Sequence, residues 1–412
     1  MEFLKHTLPN GLQIVAECNG QAWSTAVGFF VRAGARDESE ELAGVSHFLE
    51  HMMFKGTPSR SADDVNRAFD EVGASYNAFT SEEHTVYYAA VLPEYQLRAI
   101  DLLGDILRPS LRGEDFDVEK QVILEEIRMY EDQPPFGADE KCRALHFGGH
   151  PLAHSVLGTA ERISALSVDA MRAYFRQRYS ARNVVLAASG RVDFDGLVAA
   201  ADRICGSWEP GSGDRQLAPA APASQFHVVR RDSATQEYLV QLAPGPSAND
   251  DDRYAAKLLA TIVGDETGSR IFWELIDTGV AEQASLGHFE YDDAGIFMTY
   301  LSCEPGQTAS NLQRLDDLFA KVQQEGISAA ELAQASNKVC SRIVLASERP
   351  KGRLFVVGGD WVQRGEYRSV RDDLDAVGQV TLEQIEAVIR KYPLRLSTTI
   401  AIGPLEKVDR PH

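Results

Sequence analysis

The chain has 412 residues, with 41 Lys and Arg against 61 Asp and Glu, giving a formal charge of −20; hydrophobic residues make up 44% and charged residues 25%. That apolar content excludes a disordered chain, and the length suits two or three domains rather than one. The negative balance argues against nucleic-acid or anionic-membrane partners, which the surface would repel.

The N-terminal stretch Met1 to His6 has no apolar run long enough for a signal peptide, and no run of eighteen apolar residues follows anywhere. Pro9-Asn10-Gly11 predicts a hairpin turn between two strands. Thr25 to Val31 reads as an apolar strand. Helices are expected over Ala43 to Phe54 and over Ser61 to Val72, the second capped by Ser61 and stopped by Gly73. Ala74 to Phe79 and Thr85 to Leu92 alternate and β-branch like strands. Three helical stretches follow, around Tyr95–Leu107, Asp115–Glu131 and Ala138–Phe147. A segment poor in periodicity and rich in Pro, Ala, Gly and Ser, 209–224, reads as an interdomain linker.

The linker falls near the midpoint, and each half ends alike. Ser167 to Gly190 and Thr381 to Gly403 each begin with a capping Ser or Thr. Each continues as an amphipathic helix ending near Tyr179 or Tyr392 and closes with a β-branched strand running into Gly. Gln384 stands in the capping-box position to Thr381. The matched placement points to duplication. The expected fold is α+β: two related domains, 1–208 and 225–412, each a mainly antiparallel sheet covered on one face by helices.

Five cysteines, Cys18, Cys142, Cys205, Cys303 and Cys340, lie far apart and form no C-x-x-C pair. That argues against a disulfide framework or a thiolate zinc site and for a reducing compartment, the cytoplasm.

The segment Gly44-Val-Ser-His47-Phe-Leu-Glu50-His51-Met-Met-Phe54 carries the most chemistry. His47 and His51 are four apart, so on a helix they share one face and reach one metal. Glu50 lies beside that face. Two imidazoles suit Zn²⁺, and a neighbouring carboxylate suits a general base; H-x-x-E-H is the inverzincin pattern. The other residues of the segment are apolar, where charged groups are costly unless paired or ligated.

A hydrolytic zinc site needs a third protein ligand. The Asp115–Glu131 helix offers Glu119 and Glu126, seven apart and on one face with Val122, Ile123 and Tyr130, a stripe expected to face the core. Glu125 and Glu131 are expected to face solvent. A solvated acidic helix is the alternative that spacing alone leaves open.

These residues resemble the pitrilysin clan of inverted zincins, in particular its half-length bacterial and mitochondrial processing-peptidase-like members. The likeness runs the whole chain. It includes Phe54-Lys55-Gly56-Thr57, the run Asn77-Ala78-Phe79-Thr80-Ser81 with Glu83-His84-Thr85 after it, His150-Pro151-Leu152 and Leu157-Gly158-Thr159. The resemblance implies one Zn²⁺ per chain held by His47, His51 and Glu126, with Glu50 as base and Glu119 orienting a ligand. It implies hydrolysis of peptide bonds in extended peptides, paired to a strand carrying Asn77 and Ala78, by a zinc metalloendopeptidase. His84, His150 and His154 read as structural.

The chain departs from the family in its second half, which carries no H-x-x-E-H. The family's Arg and Tyr, seven apart, belong just after Gly264 to Phe272. Ile276 and Glu282 stand there instead, and Arg231 and Tyr238 share only the spacing. In the family these two residues reach the zinc from the opposite half of a clamshell, which in half-length members is another subunit. The expectation is therefore a heterodimer with a zinc-less homologous subunit supplying the Arg and Tyr; a homodimer is the alternative. A non-catalytic structural subunit of an assembly is the alternative function.

Overall fold

The computed structural model describes residues 1–132, 137–212 and 214–410; Gly213 of the expected linker and the last two residues of the expected second domain, 411–412, lie outside the described residues. The N-terminal elements are strands β1 (Glu2–Thr7), β2 (Gln13–Cys18) and β3 (Thr25–Val31), helices α1 (Val45–Met53) and α2 (Ala62–Glu71), and strands β4 (Ser75–Thr80) and β5 (Thr85–Val91). Helices α3 (Gln96–Ile106), α4 (Gly113–Asp132), α5 (Ala138–Phe147), α6 (Ala160–Ala165) and α7 (Val168–Arg178) follow, then β6 (Val184–Gly190) and α8 (Phe194–Cys205). The C-terminal elements are β7 (Phe226–Arg230), β8 (Glu237–Gly245), α9 (Arg253–Gly264), β9 (Gln283–Glu290) and β10 (Gly295–Cys303). The chain ends with α10 (Thr308–Glu325), α11 (Ala329–Ser347), α12 (Pro350–Arg364), α13 (Val370–Gly378), α14 (Leu382–Lys391) and β11 (Thr398–Gly403).

The local rules read from sequence account for most boundaries. The Ser61 side chain accepts from the Asp64 N–H to cap α2. The Thr381 and Gln384 side chains close a reciprocal capping box on α14, and Ser167 caps α7.

Two six- and five-stranded sheets result, ordered β1-β2-β6-β3-β5-β4 and β7-β11-β8-β10-β9. Apart from β1 the second order repeats the first, strand for strand. Each sheet is antiparallel except for one parallel pair, β2 with β6 and β11 with β7. This is the duplicated α+β architecture expected from the matched endings.

The compact units do not follow the linear halves. One comprises residues 1–127, 154–216 and 344–369; the other comprises 128–153, 217–343 and 370–412. Each unit therefore takes a helical segment from the other half of the sequence. The cause is visible in the strands: β3 and β6 are buried along their whole length, as is β11. A strand buried on both sides needs cover on both sides, so the expectation of a sheet covered on one face is corrected.

In the first unit α1, α3 and α8 pack on one face and α12 on the other. Leu354, Val357 and Val362 of α12 close over Val15, Phe30, Val185 and Ala187. Gly358 meets the Phe30 ring, where a Cβ would come within 2.3 Å. Arg353 of α12 forms a bidentate pair with Glu17 of β2, at 2.9 and 2.5 Å, and both side chains are almost fully buried. In the second unit α5 plays the matching part: Cys142 and Phe147 pack with Val240, Ile296 and Ile400. No described helix is long and apolar enough to cross a membrane.

The described residues of 209–224 form no helix or strand. They are nonetheless tied down: Arg215 makes a bidentate pair with Asp37 at 2.9 and 2.7 Å and also reaches the Glu83 carbonyl.

Candidate metal centre and active site

Helix α1 buries Val45, Ser46, Phe48, Leu49, Met52 and Met53. That leaves His47, Glu50 and His51 on its remaining face, as the spacing requires. The helix starts at Gly44, whose φ of 89° is left-handed and whose Cα side is closed by Leu157 O at 2.5 Å from where a Cβ would be. The N–H groups of Gly44 and Ser46 both donate to the buried Glu38 carboxyl group at 2.7 Å, so these helix-end donors are satisfied; burial pushes the Glu38 pKa up to about 8.

Helix α4 presents the second half of the site. Phe116, Glu119, Ile123 and Ile127 are buried. The centre of the buried face thus lies further toward Ile127 than the sequence suggested. Val122, expected in the core stripe, is 46% exposed, and Tyr130 is half-buried. Glu126 falls on the rim of the buried face, where a carboxylate can stay partly hydrated. Glu125 and Glu131 are exposed, as expected.

The Glu126 carboxylate lies 3.8 Å from Nε2 of both His47 and His51. One donor atom from each of the three residues lies within 4.8 Å of the others, the only such His/Cys/Asp/Glu group among the described residues. Nitrogen and oxygen ligands about 2.1 Å from a tetrahedral Zn²⁺ stand roughly 3.4 Å apart, so the donor set and its spacing fit that ion. The imidazole chemistry fits too. Burial, reinforced by the neighbouring His51, pushes the His47 pKa down to about 3, keeping the ring neutral with a lone pair to offer. The other nitrogen of His47 is buried with no hydrogen-bond partner, so packing alone holds the ring.

His51 is oriented differently. Its Nδ1 hydrogen-bonds to Glu119 Oε1 at 2.8 Å, which leaves Nε2 facing Glu126. Burial alone would lower the His51 pKa; the bond to Glu119 and the charges of Glu119, Glu126 and Glu50 outweigh it and raise it. Lys55 Nζ sits 2.6 Å from the other Glu119 oxygen. Burial would raise the Glu119 pKa, but the two hydrogen bonds from His51 and Lys55 bring it below the usual carboxylate value.

Glu50 is half-buried, and burial raises its pKa against the opposing bond from Thr80 and the charge of His51. Thr80 Oγ1 donates to its Oε2 at 2.6 Å. Neither Lys55 nor Thr80 was assigned a role from sequence; both sit in the runs that carry the family likeness, but nothing in their spacing marks a partner across the fold.

Asn77 and Ala78 lie on β4, the last strand of its sheet, which pairs with β5 alone among the described strands and so keeps one edge free of them. Asn77 is exposed and Ala78 is buried. His84 and His150 lie outside the His47, His51 and Glu126 cluster: His84 Nε2 is buried and unpartnered, and His150 bonds the Ala218 carbonyl at 2.9 Å. His154 bonds the Ala35 carbonyl at 3.1 Å.

In the second unit Ile276 packs against the core and Glu282 accepts from Gln236. Neither offers a cationic or phenolic donor. Arg231 follows β7 and Tyr238 lies on β8. The nearby Arg270 is held by Glu331 in a bidentate pair at 2.7 and 3.0 Å.

Comparison with known proteins places this geometry. A family model described as Insulinase (Peptidase family M16) matches residues 13–160, and one described as Peptidase M16 inactive domain matches residues 165–339. An uncharacterized zinc protease of Mycobacterium bovis is 34% identical over 406 residues, covering 97% of this chain and 92% of the relative. Two solved structures share the fold. A peptidase M16 inactive domain from Pseudomonas fluorescens has a TM-score of 0.91 at 18% identity over all of both chains. A protease from Helicobacter pylori has a TM-score of 0.90 at 21% identity over 98% of this chain and 99% of that one. The chain belongs to peptidase family M16.

Proposed function

We propose that the chain is the zinc-bearing subunit of a metalloendopeptidase that cleaves extended peptides or unfolded segments. The observation that carries this reading is the convergence of His47, His51 and Glu126 beside Glu50, on two helices whose other faces are fixed in the core. One Zn²⁺ per chain would supply Lewis acidity there, acidifying a water and polarising a peptide carbonyl.

The protein's own groups do the rest. His47, His51 and Glu126 would hold the ion, and Glu119, kept ionised by its bonds from His51 and Lys55, fixes the His51 ring. Glu50 takes a proton from the attacking water and passes it to the leaving amine. Its Oε2 is engaged by Thr80, so Oε1 is the proton-carrying atom. The free edge of β4 at Asn77 and Ala78 pairs with an extended peptide backbone, which requires an unfolded substrate. The missing Arg and Tyr point to a heterodimer in which a zinc-less homologous subunit supplies them. The cysteines are all free thiols, which suits a reducing compartment such as the cytoplasm.

Glu50→Gln preserves shape and removes the base. The variant should retain near-stoichiometric zinc by elemental analysis and lose peptide cleavage by at least about 100-fold, the lower range of general-base contributions. Wild-type cleavage by the variant would reject the mechanism. A purified chain without zinc would favour the non-catalytic assembly subunit, which has no use for this donor set.

A further inference from the structure

Thr80 closes β4, the strand whose free edge is proposed to pair with substrate. Its backbone is set from both sides. Thr80 pairs with Thr85 across the hairpin, and the connecting turn is closed by Ser81 N–H to His84 O at 2.8 Å. The Ser81 hydroxyl also accepts from the His84 N–H at 3.1 Å. The turn is pinned beneath by buried charge: Arg36 pairs with Glu83 at 2.5 Å, and Arg215 donates to the Glu83 carbonyl. The β-branched side chain has few rotamers available on such a backbone.

A hydroxyl has one proton to give. Thr85 Oγ1 gives its proton to the Ala33 carbonyl at 2.8 Å, so it does not compete for Glu50. The Thr80 proton goes to Glu50 Oε2, and the 2.6 Å separation is that of a hydrogen bond to a charged carboxylate. Glu50 otherwise sits on a flexible stem at the half-buried face of α1. One immobilised oxygen fixes the direction of the other.

We propose that Thr80 is a positioning residue for Glu50, tying the aim of the proton-carrying carboxylate to the strand that registers the peptide. The inference rests on the peptidase reading. Because the same strand holds substrate and base, peptide and carboxylate share one frame of reference. Misplacement by about 1 Å costs such a site roughly 100-fold.

The test is Thr80→Val, which keeps the shape and removes the donor, beside Thr80→Ser, which keeps the donor, and Glu50→Gln. All are assayed as the zinc-loaded oligomer that carries the activity. T80V should lower kcat by about 10- to 100-fold with KM within about twofold, at unchanged zinc stoichiometry and melting temperature. T80S should recover kcat to within about threefold of wild type, since it restores the same hydrogen bond. Should T80V fail to fold, Thr80→Ala serves in its place with the same readouts. Wild-type kcat in the hydroxyl-less variant while E50Q is inactive overturns the role of Thr80 alone. So does a loss that tracks zinc content, or one that serine does not repair. Cleavage by E50Q at the wild-type rate, or none by the wild type, removes the peptidase reading and this inference with it.

Discussion

His84 is held where protonation is unfavourable. Burial and the neighbouring guanidinium groups of Arg215, Arg32 and Arg36 push its pKa down to about 3, and its Nε2 has no partner. The unfolded chain would protonate it near 6.5. A depressed folded pKa gives stability that is complete above the unfolded value and is lost as pH falls toward the folded one. Between pH 6.5 and 3 the loss runs at about 1.4 kcal/mol per pH unit for one proton. His84→Leu should therefore flatten the pH dependence of the urea midpoint between pH 6.5 and 4.5 relative to wild type. Parallel curves for the two proteins would reject this account. The same residue shows what sequence can and cannot convey. From sequence His84 is set apart from the metal ligands, and it lies outside the His47, His51 and Glu126 cluster. That its surroundings are guanidinium groups was not legible, since Arg215 comes from 131 positions further along the chain. Val122 was misplaced for a related reason: a seven-residue spacing fixes which residues share a face, but not which side of that face meets the core.

At the scale of elements, helix and strand positions followed closely from periodicity and caps, and the expected strand at Thr25–Val31 and helix at Ala138–Phe147 match the observed ones end to end. The destination of α5 and α12 did not follow. An amphipathic helix reveals that it must bury a face, not against which sheet. The buried pair of Arg353 with Glu17 ties α12 to β2 beside the apolar contacts, and the Tyr367 hydroxyl adds a bond to Glu17 at 2.8 Å. Their attraction is offset by desolvation, so the pair adds less stability than its geometry suggests, but removing one partner strands a charge in the core. Arg353→Met should destabilise the protein by about 3–5 kcal/mol in chemical denaturation, the usual penalty for an orphaned buried ion. Combining it with Glu17→Leu should recover most of that loss. If the double variant were as unstable as the single, burial of an unpaired carboxylate would not be the cause.

At the scale of the whole molecule, two halves that share a strand order carry, among the described residues, one His/Cys/Asp/Glu cluster able to hold a metal. The second half keeps the fold and holds Ile276 and Glu282 where an Arg and a Tyr are expected. A transition state that builds negative charge on a carbonyl oxygen needs donors aimed at it, and losing a single such donor costs on the order of 100- to 1,000-fold. Among the described residues of the second unit, two guanidinium groups beside this stretch are already engaged, Arg270 by Glu331 and Arg314 by Glu274. A chain of this kind should therefore hold zinc well and turn over poorly when alone. Incubated with a peptide mixture and followed by mass spectrometry, the purified chain should release products slowly. Adding a homologous subunit that lacks H-x-x-E-H but carries the Arg and Tyr should raise kcat/KM by about 100-fold or more. Glu50→Gln in this chain should abolish the gain, which fixes the site of chemistry to this subunit. Full activity from the pure homodimer, unchanged by any second subunit, would show that other groups of this chain supply the donors and that Ile276 and Glu282 mark no deficit.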